Sequence, residues 1–208
     1  MASYREQLRQ SDSDVFKAIA GKQTSGIIIR RAKPTDFPSI LQLQNTNLVT
    51  NLAESERRDG FVTTPFDVVA LTKLNKGTGA FVACVDNCVV GYGMTGTLQE
   101  FQHSALIVYM NSRLQQITFH GQPIDADAAL QYGPVCIDKE FRGRGVLQSL
   151  FNVLCQQLHS DFKIGVTFIS TLNPRSYQAH VRKLGMTVVD EFEFTGKNYY
   201  TLAFVLKK

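Results

Sequence analysis

The sequence predicts one mixed α/β domain of short strands and interspersed helices. Three observations lead to this. Short β-branched runs such as GIIIRRA (26–32) and IGVTFISTL (164–172) have the length and composition of strands. Two pairs of such runs meet at turn signals, Asp86-Asn87 and TGKN (195–198), and read as hairpins. Near the middle, the apolar run GPVCI (133–137) leads through a glycine-containing turn into a leucine stripe, which gives a strand–turn–helix unit.

In chain order, residues 1–25 read as an amino-terminal extension. SDSDVFKAIAGK offers a serine or aspartate cap, an apolar run and Gly21 as a stop, so it is expected to form a short helix packed on the domain or on a second subunit, which admits a homodimer. The domain proper spans 26–208. After the first strand, Thr35 or Asp36 caps a helix carrying Phe37, Ile40, Leu41 and Leu43, and a second helical segment runs through TPFDVVALTKLNK to Gly77. Residues 80–98 form a hairpin. Residues 99–128 show no clear period and read as a long connection. Leu147, Leu150, Phe151, Leu154 and Leu158 recur with helical spacing. In NPRSYQAHVRKLGM, Asn173 suits an N-cap, Pro174 the first helical position and Gly185 the stop.

Composition excludes several classes. At 208 residues, with 44% hydrophobic and 19% charged residues, the chain can bury a core without metal or disulfide staples. The net charge of +4 is scattered, and no basic face is interleaved with aromatics, so nucleic acid is not an expected partner. Cys84, Cys88, Cys136 and Cys155 form no CxxC pair, the histidines do not sit at zinc-ligand spacing, and no metal is expected. The cysteines read as reduced packing residues of a cytoplasmic protein. No run approaches the length of a membrane span, and the polar amino terminus lacks the apolar core of a signal peptide.

The stretch DKEFRGRGVLQSLF (138–151) carries the chemistry. Gly143 and Gly145 let the backbone approach a ligand, and the helix starting near Val146 points unpaired N–H groups and a positive dipole end at the turn. Arg142 and Arg144 add charge beside those donors, which makes a site for phosphate or pyrophosphate. The turn lacks the lysine and hydroxyl of a P-loop and does not complete GxGxxG. A tight structural turn with solvated arginines would use the same residues.

VCIDKEFRGRGVLQSLF (135–151) resembles the acetyl-CoA-binding motif of the GNAT superfamily of N-acetyltransferases. In that family a strand leads to Arg/Gln-x-x-Gly-x-Gly/Ala at a helix start. Val135, Ile137, Phe141, Arg142, Gly143 and Gly145 match, and Leu147 replaces the final glycine or alanine. IIIRRAKPTDFPSILQLQN, the 80–98 hairpin and STLNPRSYQAHVRKLGM are similar to the family's other elements in the same order, so the resemblance spans about 27–206.

The resemblance implies a mostly antiparallel central sheet of about six to seven strands, flanked by helices on both faces, and direct transfer of an acetyl group from acetyl-CoA to an amine on a small molecule or peptide. It implies that the N–H groups of residues 143–147, including Val146 and Leu147, hold the pyrophosphate with Arg142 or Arg144, and that Asn173 belongs to the cofactor site. The edge formed by Val135, Cys136 and Ile137 would pair with the pantetheine arm, and an N–H near Val135–Cys136 would polarise the thioester carbonyl. Counting from Asn173 gives His180, whereas counting back from Gly185 lands on Val181, because the segment is one residue longer than the family pattern; Tyr177, three residues before His180, can share its helix face, so the proton donor is His180 or Tyr177. Tyr132, Glu54 and Glu56 are candidate bases. Cys136 has no identifiable His/Asp partner and is not expected to be a nucleophile. The same resemblance admits a non-catalytic acyl-CoA sensor or interaction module.

Overall fold

The computed structural model describes residues 26–207, so the helix expected within 1–25 lies outside the described residues. Nine strands and six helices follow one another in this order: β1 (Ile28–Arg31), α1 (Phe37–Asn47), α2 (Glu54–Arg57), α3 (Val68–Lys76), β2 (Ala80–Val85), β3 (Cys88–Gly96), α4 (Ala105–Leu114), β4 (Thr118–Phe119), β5 (Gln122–Pro123), β6 (Leu130–Ile137), α5 (Val146–Leu158), β7 (Ile164–Ser170), α6 (Pro174–Gln178), β8 (Thr187–Phe194) and β9 (Lys197–Val205). Seven strands form one sheet in the order β1-β2-β3-β6-β7-β9-β8, while β4 and β5 form a separate two-stranded ribbon. Every pairing in the main sheet is antiparallel except that of β6 with β7.

Alternation along the strands sends side chains to two cores. In β2, Phe81 and Ala83 join the core under α5, whereas Ala80, Val82 and Cys84 join the core under α1 and α3. A third cluster places Leu106, Met110 and Leu114 of α4 against Val166, Phe192, Tyr199 and Ala203. The sheet is therefore covered on both faces, as expected. The hairpin turns are also as expected. Asp86 and Asn87 adopt φ 47° and 67°, and Thr195 and Gly196 adopt 49° and 72°, the left-handed pair that matches strand twist.

Two expectations are corrected. Residues 99–128 are not an irregular connection: a 3₁₀ turn (Leu98–Phe101), α4 and the β4–β5 ribbon fill them. Ser104 caps α4 by accepting from the Ile107 N–H. Asn111 obscures the apolar stripe, because it is a buried polar residue whose amide pairs with that of Gln131 on β6. Asp36 takes the N-cap position of α1, but its side chain does not cap that helix. It closes the 3₁₀ turn at Pro34–Asp36, where its carboxylate accepts from the Lys33 N–H at 2.6 Å and from Arg30 at 2.6 and 2.9 Å. The Arg30 guanidinium holds that carboxyl below its usual pKa.

Candidate active site

The site begins where β6 and β7 part. Their parallel pairing is confined to Leu130 with Gly165 and Gln131 with Val166. Beyond Gln131, β6 stays on β3 but shifts register between Gly93 and Thr95, with two residues of β6, Gly133 and Pro134, set against one of β3, Met94. Asp138 donates its N–H to Val90 O across that pair at 2.9 Å. Strand alternation then aims the Cys136 N–H at β3, and those of Val135 and Ile137 away from it, into the gap.

From this fork a cleft of about 1080 Å³ runs along Val135–Ile137 to the glycine turn, with α6 as its other wall. Gly143 and Gly145 take φ 80° and 81°, a conformation that disfavours any residue with a Cβ. An added Cβ at either glycine would meet no atom within 4 Å, so the space beside the turn is open. The first carbonyl bonded in α5 is Gly145 O, which accepts from the Ser149 N–H. The N–H groups of Val146, Leu147 and Gln148 thus remain available at the helix start. Arg142, Arg175, Arg182 and Lys183 line this cleft against one carboxylate, that of Asp59, among the described residues. The walls therefore suit an anionic ligand with a diphosphate-like head.

No family model and no curated protein matches the chain. Solved structures do. The fold is similar to an N-acetyltransferase from Staphylococcus aureus Mu50 at TM-score 0.60 and 17% identity, covering 88% of this chain and 100% of that one. It is similar to a putative acetyltransferase from Salmonella typhimurium solved with its cofactor acetyl-CoA, at TM-score 0.58 and 16% identity over 88% and 96% of the two chains. A ribosomal-protein-alanine N-acetyltransferase from Brucella melitensis matches at TM-score 0.58 and 17% identity over 86% and 99%. The chain has the GNAT acetyltransferase fold.

Within the GNAT frame the expected residues take different roles. Gly143, Gly145, Val146 and Leu147 line the cleft together with Val135, Cys136 and Ile137. Leu147 is half-buried and also packs on the core beneath α5, so the helical stripe carries part of its bulk away from the turn. Arg144 stands exposed with its guanidinium 5.5 Å from the centroid of the Phe141 ring, and it forms no ion pair among the described residues.

Arg142 is not free to grip a phosphate as expected. Its Nε donates to Ile137 O at 2.8 Å, Nη1 to Asp59 O at 2.6 Å and Nη2 to Asn47 Oδ1 at 3.0 Å. Asn173 is likewise engaged: Oδ1 accepts from the Ser176 N–H at 3.2 Å, and Nδ2 donates to Phe61 O at 3.0 Å. Between them these two residues strap the segment 59–62 across the fork, and Arg175 adds an ion pair to Asp59 at 3.6 Å.

The register question at Asn173 also resolves. α6 ends at Gln178 and continues as a π-turn over Ala179–Lys183, which absorbs the extra residue before Gly185. Tyr177 and His180 do not share a face. Tyr177 packs against Tyr200 in a tilted arrangement with ring centroids 4.8 Å apart and lies outside the cleft lining. His180 is buried at the inner end of the cleft, its ring 5.9 Å from that of Tyr132. His180 Nδ1 lies 2.8 Å from Ser176 O, and because a carbonyl can only accept, Nδ1 carries a proton. In the neutral ring, which burial favours by lowering the pKa, Nε2 keeps its lone pair.

The three candidate bases do not fit. Glu54 and Glu56 are exposed on α2, away from the lining, and Glu56 accepts from the Ala53 N–H. Tyr132 is buried with its hydroxyl unpartnered among the described residues, and burial raises its pKa far from the working range. The Cys136 thiol is pushed up to about 12 by burial, which excludes it as a nucleophile. Sequence reasoning missed the cations Arg175 of α6 and Arg182 and Lys183 of the π-turn after it. Their signal was present in NPRSYQAHVRK, where Arg175 and Arg182 lie seven residues apart and so fall near one helical face.

Proposed function

We propose that the protein transfers the acetyl group of acetyl-CoA to a primary amine. The observation that carries this reading is the continuity of the cleft. A cationic channel starts at a glycine-flanked helix N-terminus, follows an unpaired strand edge and ends at a buried histidine with a free lone pair. These features fit an elongated anionic thioester better than a compact phosphate. The unpaired cysteines suit a reducing compartment, which supports a cytoplasmic setting. No helix among the described residues is long and apolar enough to cross a membrane.

Bound acetyl-CoA would supply the activated acyl group. The N–H groups of Val146, Leu147 and Gln148 hold the diphosphate, and Arg144 adds charge from the solvent side. The N–H of Ile137 pairs with the pantetheine arm, while that of Val135 lies where the thioester carbonyl develops charge. His180 Nε2 accepts a proton from the attacking amine as the N–C bond forms and the C–S bond breaks. The imidazolium then returns that proton to the departing thiolate, which balances the transfer.

Thermal shift and thiol release test the reading. Acetyl-CoA at about 100 µM, a hundredfold above a micromolar Kd, raises the melting temperature measurably. Arg144→Glu diminishes that shift, and His180→Gln retains it while slowing thiol release with an amine. Stabilisation by acetyl-CoA without thiol release for any amine would favour the sensor reading, and no stabilisation at all would overturn both.

A further inference from the structure

The inner end of the cleft continues into a smaller chamber between the parted strands, and its walls describe the acceptor. Thr63, Thr64, Met110, Gln131, Thr167 and Ser170 line it, with Phe61, Val62 and His180 at the junction with the outer cleft. Among the described residues no carboxylate, ammonium or guanidinium faces this space. Gln131 is already paired with Asn111, and Asn173 with Phe61 and Ser176, so apart from His180 the remaining side-chain polarity is hydroxyl, that of Tyr132 included.

Two physical limits follow. The first is charge. A buried ammonium costs several kcal/mol unless a carboxylate or several strong acceptors compensate it, and apart from His180 the side chains lining this chamber offer neutral groups only, chiefly the hydroxyls of Thr63, Thr64, Tyr132, Thr167 and Ser170. An amine that enters must therefore shed its proton readily. Among the described residues the most basic side chain at the junction is His180 through Nε2, a weak base that cannot draw a proton efficiently from a group as basic as lysine. The second limit is size. The chamber holds about 70 Å³, enough for a handful of water-sized groups and well below the roughly 150 Å³ of a cavity that accepts benzene.

Resting on the acetyl-transfer reading, we infer that the acceptor is a weakly basic primary amine carried on a compact, uncharged head. α-Amino groups beside a carbonyl belong to this class, while lysine side chains, polyamines and amines on bulky aromatic heads do not. The outer cleft supplies the contrast. Its cations receive the anionic donor, while the neutral chamber rejects the cationic acceptors that the same charges would repel on entry.

The test needs no variant. Wild-type protein with saturating acetyl-CoA is assayed at pH 7.5 against glycinamide, alaninamide, phenylalaninamide, Nα-acetyl-lysine amide and spermidine, with products identified by mass. The free-base fractions of an α-amine and a lysine differ on the order of 100-fold at that pH, so kcat/KM for alaninamide should exceed that for the lysine derivative by at least about that factor. Phenylalaninamide, of equal basicity, should fall about 10-fold or more below alaninamide on size alone. Preference for spermidine or the lysine derivative would overturn the inference and leave acetyl transfer intact, as would equal rates for the alanine and phenylalanine amides. No product from any amine, with acetyl-CoA still bound, would overturn the inference together with the transfer reading.

Discussion

Replacing Arg142 with lysine separates a structural strap from a phosphate ligand. The guanidinium reaches three acceptors on three parts of the chain: Ile137 O at the end of β6, Asp59 O in the strap and Asn47 Oδ1 at the end of α1. These contacts join segments 5, 83 and 95 residues apart in sequence. A lysine ammonium keeps the charge but lacks the planar fork, and from one stem it reaches one of the three acceptors. A hydrogen bond from a charged donor contributes about 1.5 kcal/mol at the lower end of its range, so the loss of two costs about 3 kcal/mol. In a domain of this size 1 kcal/mol moves the melting temperature by about 2–4 °C, so Arg142→Lys should melt about 6–12 °C below wild type by differential scanning fluorimetry. Arg144→Lys, on the exposed side of the same turn, serves as control and should stay within about 2 °C. A wild-type melting temperature for Arg142→Lys would refute the strap. If acetyl-CoA affinity fell in that variant at unchanged stability, Arg142 would return to the role its sequence position suggests.

Two further outcomes follow from the same geometry. Gly145→Ala places a Cβ at φ 81° with no atom to strike, so its stability cost is conformational, about 1–2 kcal/mol, while acetyl-CoA affinity measured by calorimetry should fall at least about 10-fold because the new methyl faces the open side of the turn; unchanged affinity would remove the turn from the donor site. Native protein treated with a thiol-reactive disulfide at pH 8 should show one fast thiol, lost in Cys88→Ser, because Cys88 is partly exposed while burial pushes Cys136 to about 12 and Cys155 to about 11 and also raises Cys84; fast reaction at two or more sites would contradict the packing of β3, β6 and α5.

What the sequence determined by itself is local. Strand runs, the Asp86-Asn87 and Thr195-Gly196 turns, the start of α5 after Gly145 and the Asn173 cap each depend on a few neighbouring residues whose backbone preferences agree. Those same residues carried the resemblance that the fold bears out. Only the tertiary structure decided what the polar side chains do. Arg142 and Asn173 could each have faced a ligand, but their partners, Asp59, Asn47 and Phe61, come from a segment about a hundred residues away that sequence spacing does not bring near. The choice between Tyr177 and His180 turned on a π-turn. An extra residue in a short helix can be absorbed in several places, and packing on Tyr200 and Tyr132 selects one of them. The acceptor chamber is the furthest from the sequence. Its neutrality is a property of which residues β6, β7, α4 and the 59–64 segment turn inward together, and no single stretch of the chain records it.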